Sequence, residues 1–461
     1  MYDVVYLGGG AGGYVGAVTS ASLGKKVALV EKSNVGGVCV NYGCIPTDAA
    51  LSEIGFSKYT AGPAFKSPAI IDFSKNLARS KEIAKKTREL AKGVLDALGV
   101  EIFEGMGTLI EKGVKVGDKI IEAENVVVAT GARYDLSRVA NVKPSRVITA
   151  ENFWDLDSAP GEVVVFQGGS PSIRGIELAQ VLAESGSEVT VIDENETLFP
   201  QFDSELTGVL MSSLQEHGIK FVMGAKGVTV ENGVIKYTVD GNPKETPFDG
   251  IIPSHSWLPN TEGLNLEKLG AELHNGFVRV DEKCRTNLPW LYAVGEVTSV
   301  KGATRAMYMG RVAALNMAGR EAKVNQSMLP SGIYTVPQFA EVGLSEESAR
   351  KLYGDVVIGR SDITFNEKAM ALGYAQGLVK LIFNTKGKLL GGGLVSYDAE
   401  ELIADIGLAL KLEATASDLA FSGYEHATIS EAIQDAALRA LASLPRDLCG
   451  LDHRLGCRSP R

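Results

Sequence analysis

The sequence predicts an α/β protein: two doubly wound units, each with a parallel sheet, followed by a C-terminal α+β domain. Three observations carry this. A strand, a glycine-rich turn, a helix and a second strand ending on an acid occur between Asp3 and Glu31, and the same order recurs between Val163 and Asp193. Beyond about Ser331 the pattern changes to alternating runs such as Leu378–Phe383, the mark of antiparallel strands. The composition is that of a globular protein, with 461 residues, 45 % hydrophobic and 22 % charged, which excludes disorder as the main state. At roughly 150 residues per domain the length suggests about three domains.

The first strand, Asp3–Leu7, starts at once after Met1-Tyr2, without a basic segment or cleavage site, so no signal peptide is expected. Gly8, Gly10 and Gly13 fit G-x-G-x-x-G. The first glycine permits the tight turn, the second lets backbone amides approach a pyrophosphate, and the third lets helix pack on strand. A helix from about Gly13 to Leu23 presents its N-terminal dipole to the phosphates. The next strand, Lys26–Val30, ends on Glu31, placed to accept ribose hydroxyls. A loop with Gly36-Gly37-Val38-Cys39 and Asn41-Tyr42-Gly43-Cys44-Ile45-Pro46 follows, then a helical pattern over Asp72–Leu98 and a strand leading into Ala129-Thr130-Gly131.

The second unit begins near Pro160, with a strand at Val163–Phe166, a turn over Gly168–Gly175, a helix over Ile176–Ala183 and a strand over Glu188–Ile192 that ends on Asp193. A strand at Leu291–Val294 leads into Gly295-Glu296, and helices near Ala399–Leu412 and Ser430–Leu444 close the last domain. The 56 acidic and 46 basic residues leave a net charge of -10, which argues against nucleic acid as a partner. No stretch of about 18 apolar residues suggests a membrane span. A cytoplasmic location is expected.

Cys39 and Cys44 are separated by four residues, a spacing that suits one helical turn and lets the sulfurs meet. In a chain without a secretory signal, such a pair points to metal binding or redox work. No second Cys or His cluster lies nearby to complete a zinc site, so a redox-active disulfide is expected and no metal.

With these residues the chain resembles the flavoprotein (pyridine nucleotide-) disulfide oxidoreductases, and most of all the dihydrolipoamide dehydrogenases. The resemblance spans nearly the whole chain. It implies two Rossmann-like dinucleotide-binding domains and a C-terminal α+β dimerisation domain. Residues 1–150 would bind FAD and carry the redox disulfide, 151–270 would form an NAD(P)-binding-like domain, 271–330 would return to the FAD domain, and 331–461 would form the dimer interface. Thr130, Gly131, Gly295 and Glu296 join Gly8, Gly10, Gly13 and Glu31 as expected cofactor contacts. Cys39 would exchange with the substrate disulfide, and Cys44 would lie beside the flavin as the charge-transfer thiolate.

The segment Tyr424-Glu425-His426-Ala427-Thr428-Ile429-Ser430-Glu431 is similar to the family's His-Pro-Thr-Leu-Ser-Glu segment. A thiolate is the nucleophile, so a proton must move to and from Cys39. His426 would be that base and Glu431 its orienter. In the family this pair comes from the neighbouring subunit, which implies a homodimer. Ala427 stands where the family has proline, so a different local turn is expected. The implied activity is FAD-dependent dithiol/disulfide exchange with a lipoyl-type dithiol or a lipoylated carrier protein, electrons continuing to NAD.

The departures gather on the nicotinamide side. Counted back from Gly175 and Glu177, the first two motif glycines of the second turn fall on Ser170 and Ser172; using Gly168 or Gly169 instead requires two extra residues. Asp193 still stands where NAD-selective members have an acid. The family's Gly-Arg-Arg-Pro-Asn is Ser256-Trp257-Leu258-Pro259-Asn260, and the lysine that follows the cysteine motif gives way to Thr47 and Asp48. Asp48 and Glu177 would then face each other, with one protonated or with a cation such as Arg174 compensating. Two alternatives follow: a reductase core with a degenerate nicotinamide site and another electron partner, or a non-catalytic flavoprotein that docks a lipoyl carrier. Cys284 is expected to be buried packing, and the tail with Cys449, His453 and Cys457 to be inert.

Overall fold

The computed structural model describes residues 1–60, 62, 64–67, 69–374 and 376–444. Its first sheet is parallel at its centre, in the order 101–104, 27–31, 2–7, 119–128, with Leu291–Ala293 adding in parallel beside Lys119–Val128. Val4, Val5 and Tyr6 are fully buried, as a strand covered on both faces requires. Helix Ala11–Ser22 packs on helix Ala303–Met317, and small residues set the distance: a Cβ on Gly310 would lie 2.2 Å from the Gly12 carbonyl oxygen.

The second sheet is wholly parallel, in the order 220–222, 188–192, 162–166, 250–253. The C-terminal sheet is antiparallel, in the order 331–333, 338–343, 389–396, 378–384, 356–362. Helix Glu431–Ala442 lies on it, so close that a Cβ on Gly359 would sit 2.0 Å from the Ala436 carbonyl oxygen. The expected fold class is therefore the observed one.

What positions the site is the core that joins these parts. Ala50, Leu51 and Ile54 of helix Cys44–Tyr59 share one hydrophobic cluster with Ile176 and Leu178 of the second unit and with Ile333, Val336 and Phe339 of the C-terminal domain. Gln180 adds a two-way clamp across the same junction: its Nε2 donates to the Val336 carbonyl and its Oε1 accepts from the Val336 N–H, both at 2.7 Å. Both groups are buried, so each satisfies a polar atom that water cannot reach. Among the described residues, no helix is long and apolar enough to cross a membrane.

Candidate active site

Cys39 and Cys44 do not share one helical turn, contrary to the spacing argument. Cys39 lies in a short helix, Gly37–Asn41, and Cys44 opens the next one, Cys44–Tyr59. The break falls at Tyr42 and Gly43, whose N–H groups both return to the Val38 carbonyl. The bend is tight: a Cβ on Gly43 would lie 3.2 Å from the Val38 carbonyl oxygen. Both cysteines are half-buried free thiols. The neighbouring Cys44 thiol holds Cys39 below its ordinary pKa, with Arg174 adding to the effect against the cost of burial, while Cys39 and burial push Cys44 well up.

Both thiols line a cavity of about 1450 Å³ that also takes in Gly8, Gly10, Glu31, Thr130 and Gly131. Gly295, Glu296 and Glu177 line it too, whereas Gly13, Gly175 and Asp193, also expected at the cofactors, do not. The residues fit the FAD that the resemblance implies. A Cβ on Gly8 would lie 2.4 Å from the Ala129 carbonyl oxygen, and one on Gly13 would lie 1.9 Å from that of Gly8, so these two glycines serve the fold of the turn. Gly10 differs: a Cβ there would meet only Gly37 Cα at 3.9 Å, so protein packing does not explain its missing side chain. The space it leaves belongs to the cavity, where a pyrophosphate needs close backbone approach. Glu31 accepts from the Gly9 N–H at 2.7 Å through Oε2 and from the Ser33 N–H at 2.9 Å through Oε1, which orients the carboxylate at the cavity wall.

The second turn is longer than either spacing expected from the sequence. The Gln167 N–H donates to the Ile192 carbonyl at 2.9 Å, as the Gly8 N–H does to Val30 at 2.8 Å. Strand pairing therefore puts Gln167, not Ser170, in the place of the first glycine. The Gly169 N–H donates to Asp193 Oδ1 at 2.8 Å, the counterpart of Gly9 on Glu31. Residues 167–173 then separate strand from helix, against residues 8–10 in the first unit. Gly175 keeps the close helix–strand approach, since a Cβ would lie 2.8 Å from a Val165 methyl. Ser170 and Ser172 are buried in the turn. Asp193 is fully buried, and its Oδ2 has no partner among the described residues.

On the nicotinamide side, Trp257 stacks on Tyr134, with centroids 4.3 Å apart, and the Arg174 guanidinium lies 4.9 Å from the Trp257 ring centroid. The two carboxylates expected to face each other both have neighbours. Glu177 accepts the Tyr334 N–H at 3.2 Å, yet burial lifts it to about 7 against that bond and Arg174. Asp48 is raised by burial and then by Glu401. Glu400, which sequence reasoning missed, is pushed to about 9, first by burial and then by Glu177 and Asp48. Its only sequence signal was an acid at the start of helix Ala399–Lys411, an ordinary surface feature. Gln167 could have been found by counting forward from the strand end rather than back from Gly175.

His426 and Glu431 are paired, Nδ1 to Oε1 at 3.2 Å, and Glu431 Oε2 also caps the Thr428 N–H at 3.1 Å. The hydrogen bond and then the charge of Glu431 raise the His426 pKa. His426 is 81 % exposed and does not line the cavity, so a single chain does not bring it to the cysteines. Ala427 adopts φ +59°, which proline cannot reach, so the turn does differ where the family's proline is missing. Cys284 is buried, its thiol 3.6 Å from the Met309 carbonyl oxygen, and burial pushes it up to about 12. Cys449, His453 and Cys457 lie outside the described residues.

Similar proteins agree with this build. Residues 2–321 match the family model described as pyridine nucleotide-disulphide oxidoreductase, and residues 329–437 match the dimerisation domain of that family. Among curated relatives, a dihydrolipoyl dehydrogenase of Chlorobaculum parvum is 33% identical, covering 96% of this chain and 98% of its own. One of Thermus scotoductus is 34% identical, covering 95% and 96%. The solved structure of LpdA from Mycobacterium tuberculosis is 26% identical with a TM-score of 0.85, covering 95% of this chain and 99% of its own. The flavoprotein disulfide reductase RclA of Escherichia coli shares the fold, with a TM-score of 0.83 at 23% identity, covering 95% and 99%. With matched models over almost all of the described chain, and relatives of a third identity along their full length, the protein belongs to the pyridine nucleotide-disulphide oxidoreductase family and is a flavoprotein disulfide oxidoreductase of the dihydrolipoyl dehydrogenase type.

Proposed function

We propose that the protein interconverts a lipoyl-type dithiol and its disulfide through Cys39 and Cys44, as a homodimer, with electrons continuing through FAD to NAD. The observation that carries this is that both thiols stand on the wall of the cavity that the first glycine turn also lines. In the oxidative direction, a substrate thiolate attacks Cys39 of the Cys39–Cys44 disulfide, and Cys44 leaves as a thiolate. The second substrate thiolate attacks the mixed disulfide, the cyclic disulfide forms, and Cys39 is released. Two protons leave the substrate, and His426 is the base that takes one. Because His426 is exposed on its own chain and away from the cavity, this role calls for a second copy of the chain. FAD, when bound, supplies the acceptor for the electron pair.

The base must be neutral to work, so dithiol oxidation rises with pH through the His426 pKa. Glu431 raises that pKa. Glu431→Gln is therefore expected to move the acidic limb of the rate profile to lower pH, while the plateau falls because the imidazole loses its orienter. An acidic limb that stays in place, measured as kcat/KM against pH, would remove His426 from the role of base.

A second reading is favoured by the nicotinamide side. The longer turn, Gln167 at the first glycine place and the Arg174–Trp257–Tyr134 stack all depart from a plain NAD cradle. Asp193 keeps the acid at the end of the second unit's strand, but it is fully buried and does not line the cavity. Anaerobic titration of the yellow protein separates the two readings. Bleaching by both NADH and dihydrolipoamide supports the dehydrogenase. Bleaching by the dithiol alone moves the search to another electron partner. Bleaching by neither overturns the redox assignment of Cys39 and Cys44.

A further inference from the structure

On its own chain His426 reaches no cysteine, so its aim at a neighbouring copy is set by whatever holds the turn that carries it. That turn has Ala427 at φ +59°, a left-handed backbone at a residue with a Cβ. Such a conformation persists only where the surroundings fix it. The ties converge on Thr428. Its N–H donates to Glu431 Oε2 at 3.1 Å, and its Oγ1 donates to the Glu425 carbonyl at 2.8 Å and pairs with Ser430 Oγ at 2.7 Å. These bonds run within residues 425–431, so they shape the turn itself.

The Thr428 carbonyl is held from elsewhere. Asn366 Nδ2 donates to it at 3.0 Å, across 62 residues of sequence. Asn366 is only 8 % exposed, and both ends of its amide are used: Oδ1 accepts the Ala369 N–H at 3.0 Å and so caps helix Glu367–Leu372. A carbonyl on one side and an N–H on the other admit a single orientation of the amide. The Asn366 N–H donates to the Ile363 carbonyl at 3.0 Å. Ile363 and Ala369 are fully buried in the same cluster as Ile429 and Ala432, so the tether runs from the core of the C-terminal domain to the turn.

We propose that Asn366 is a positioning residue for the proton transfer: by holding the Thr428 carbonyl it keeps His426 Nδ1 on Glu431 and leaves Nε2 aimed at the cysteines of a second copy. This rests on the reading of His426 as the base in a homodimer. A base displaced by about 1 Å loses much of its effect, so a tether on its turn acts on rate and not only on stability. The charged groups acting on the imidazole are Glu431 from the following helix, Glu367 from the helix that Asn366 caps and Glu425 from its own turn. Glu431 comes first among them, so a turn released from Asn366 lets the His426 pKa fall back towards its ordinary value.

The test follows the rate at which dihydrolipoamide bleaches the FAD-loaded protein, anaerobically and across pH. Asn366→Ser is the main variant, because serine caps a helix as asparagine does but is too short to reach Thr428. Its urea midpoint is expected to stay near wild type. Bleaching is expected to slow by about tenfold, part of the roughly 10²–10⁴-fold that a positioned base supplies, and the acidic limb to move to lower pH. In a Glu431→Gln background the same change is expected to cost less than about twofold, because the pair it serves is already broken. Asn366→Asp, which keeps the cap and the size but not the donor, carries the test through a slower plateau if Asn366→Ser does not fold. A rate and limb like wild type, or an equal loss in the Glu431→Gln background, overturns the proposal. His426→Gln in the same assay separates the two failures. No slowing there removes the base and the proposal with it, whereas slowing there with a wild-type rate in Asn366→Ser removes Asn366 alone.

Discussion

Cys44→Ser is expected to abolish dithiol-driven bleaching of the flavin, by about three orders of magnitude or more, while leaving a folded yellow protein. Serine nearly matches cysteine in size, and Cys44 opens a helix anchored through Ala50, Leu51 and Ile54, so the fold has little reason to change. What is lost is the leaving thiolate. Cys39 keeps its sulfur, and with lipoamide disulfide it can still attack: a Cys39–sulfur bond forms, the lipoamide S–S bond breaks, and the second lipoamide sulfur leaves as a thiolate that takes up a proton. Cys44→Ser should therefore accumulate one covalent lipoamide on Cys39, and Cys39→Ser should accumulate none. Intact-mass and peptide analysis of the two variants checks this. An adduct on Cys44 in the Cys39→Ser variant would reverse the order of the two cysteines, and steady bleaching in both would end the disulfide mechanism.

Lys380→Met is expected to destabilise the protein by about 3–5 kcal/mol, the range for removing one member of a buried ion network. Lys380 is only 2 % exposed, and its Nζ contacts Asp203 Oδ1 at 2.9 Å and Glu205 Oε2 and Glu346 Oε2 at 2.8 Å each. Asp203 and Glu205 belong to the start of the second unit's helix Ser204–Glu216, whereas Lys380 and Glu346 belong to the C-terminal domain. Removing the amine strands Asp203, itself 1 % exposed, without its cation across that junction. Arg360 still bridges Glu205 and Glu346, so the loss stays within the single-partner range.

The pH dependence follows from the carboxylates. Glu205 is held down at about 2 by the Arg360 hydrogen bond and, after the cost of burial, by Lys380. A depressed carboxylate stabilises the fold above its unfolded pKa of about 4.3, and that contribution fades as pH falls towards 2. The gap between wild type and Lys380→Met in urea midpoint should be widest near pH 7 and should narrow below about pH 4. A midpoint within error of wild type at pH 7 would mean that the network relaxes around the methionine and holds no stability of its own.

The parts of the site that are legible in the sequence are those whose chemistry is local. Gly8, Gly10, Gly13 and Glu31 serve one turn, and backbone sterics across a few residues decide them, so the first unit reads directly from its letters. Cys39 and Cys44 are near neighbours, and their pairing needed only a short path, although the path proved to be a helix break at Gly43 and not a helical turn. His426 and Glu431 are likewise neighbours, and their contact is made within one chain.

Other features depended on distance along the chain. The place of Gln167 is set by hydrogen bonding to Ile192, and Glu177 is held by the Tyr334 N–H, contacts that no spacing rule reports. Glu400 looked like an ordinary first-turn acid until the C-terminal domain set it among Glu177, Asp48 and Cys44 and raised its pKa to about 9. Arg174 could be named as a candidate cation from its letter, but only the tertiary packing laid it on Trp257. The physical reason is common to all of these. Turn geometry and nearest-neighbour hydrogen bonds act over a few residues. Burial and the field of a charge depend on what the whole fold brings within a few ångströms, so the sequence by itself determined the reacting groups, and the tertiary structure decided their ionisation.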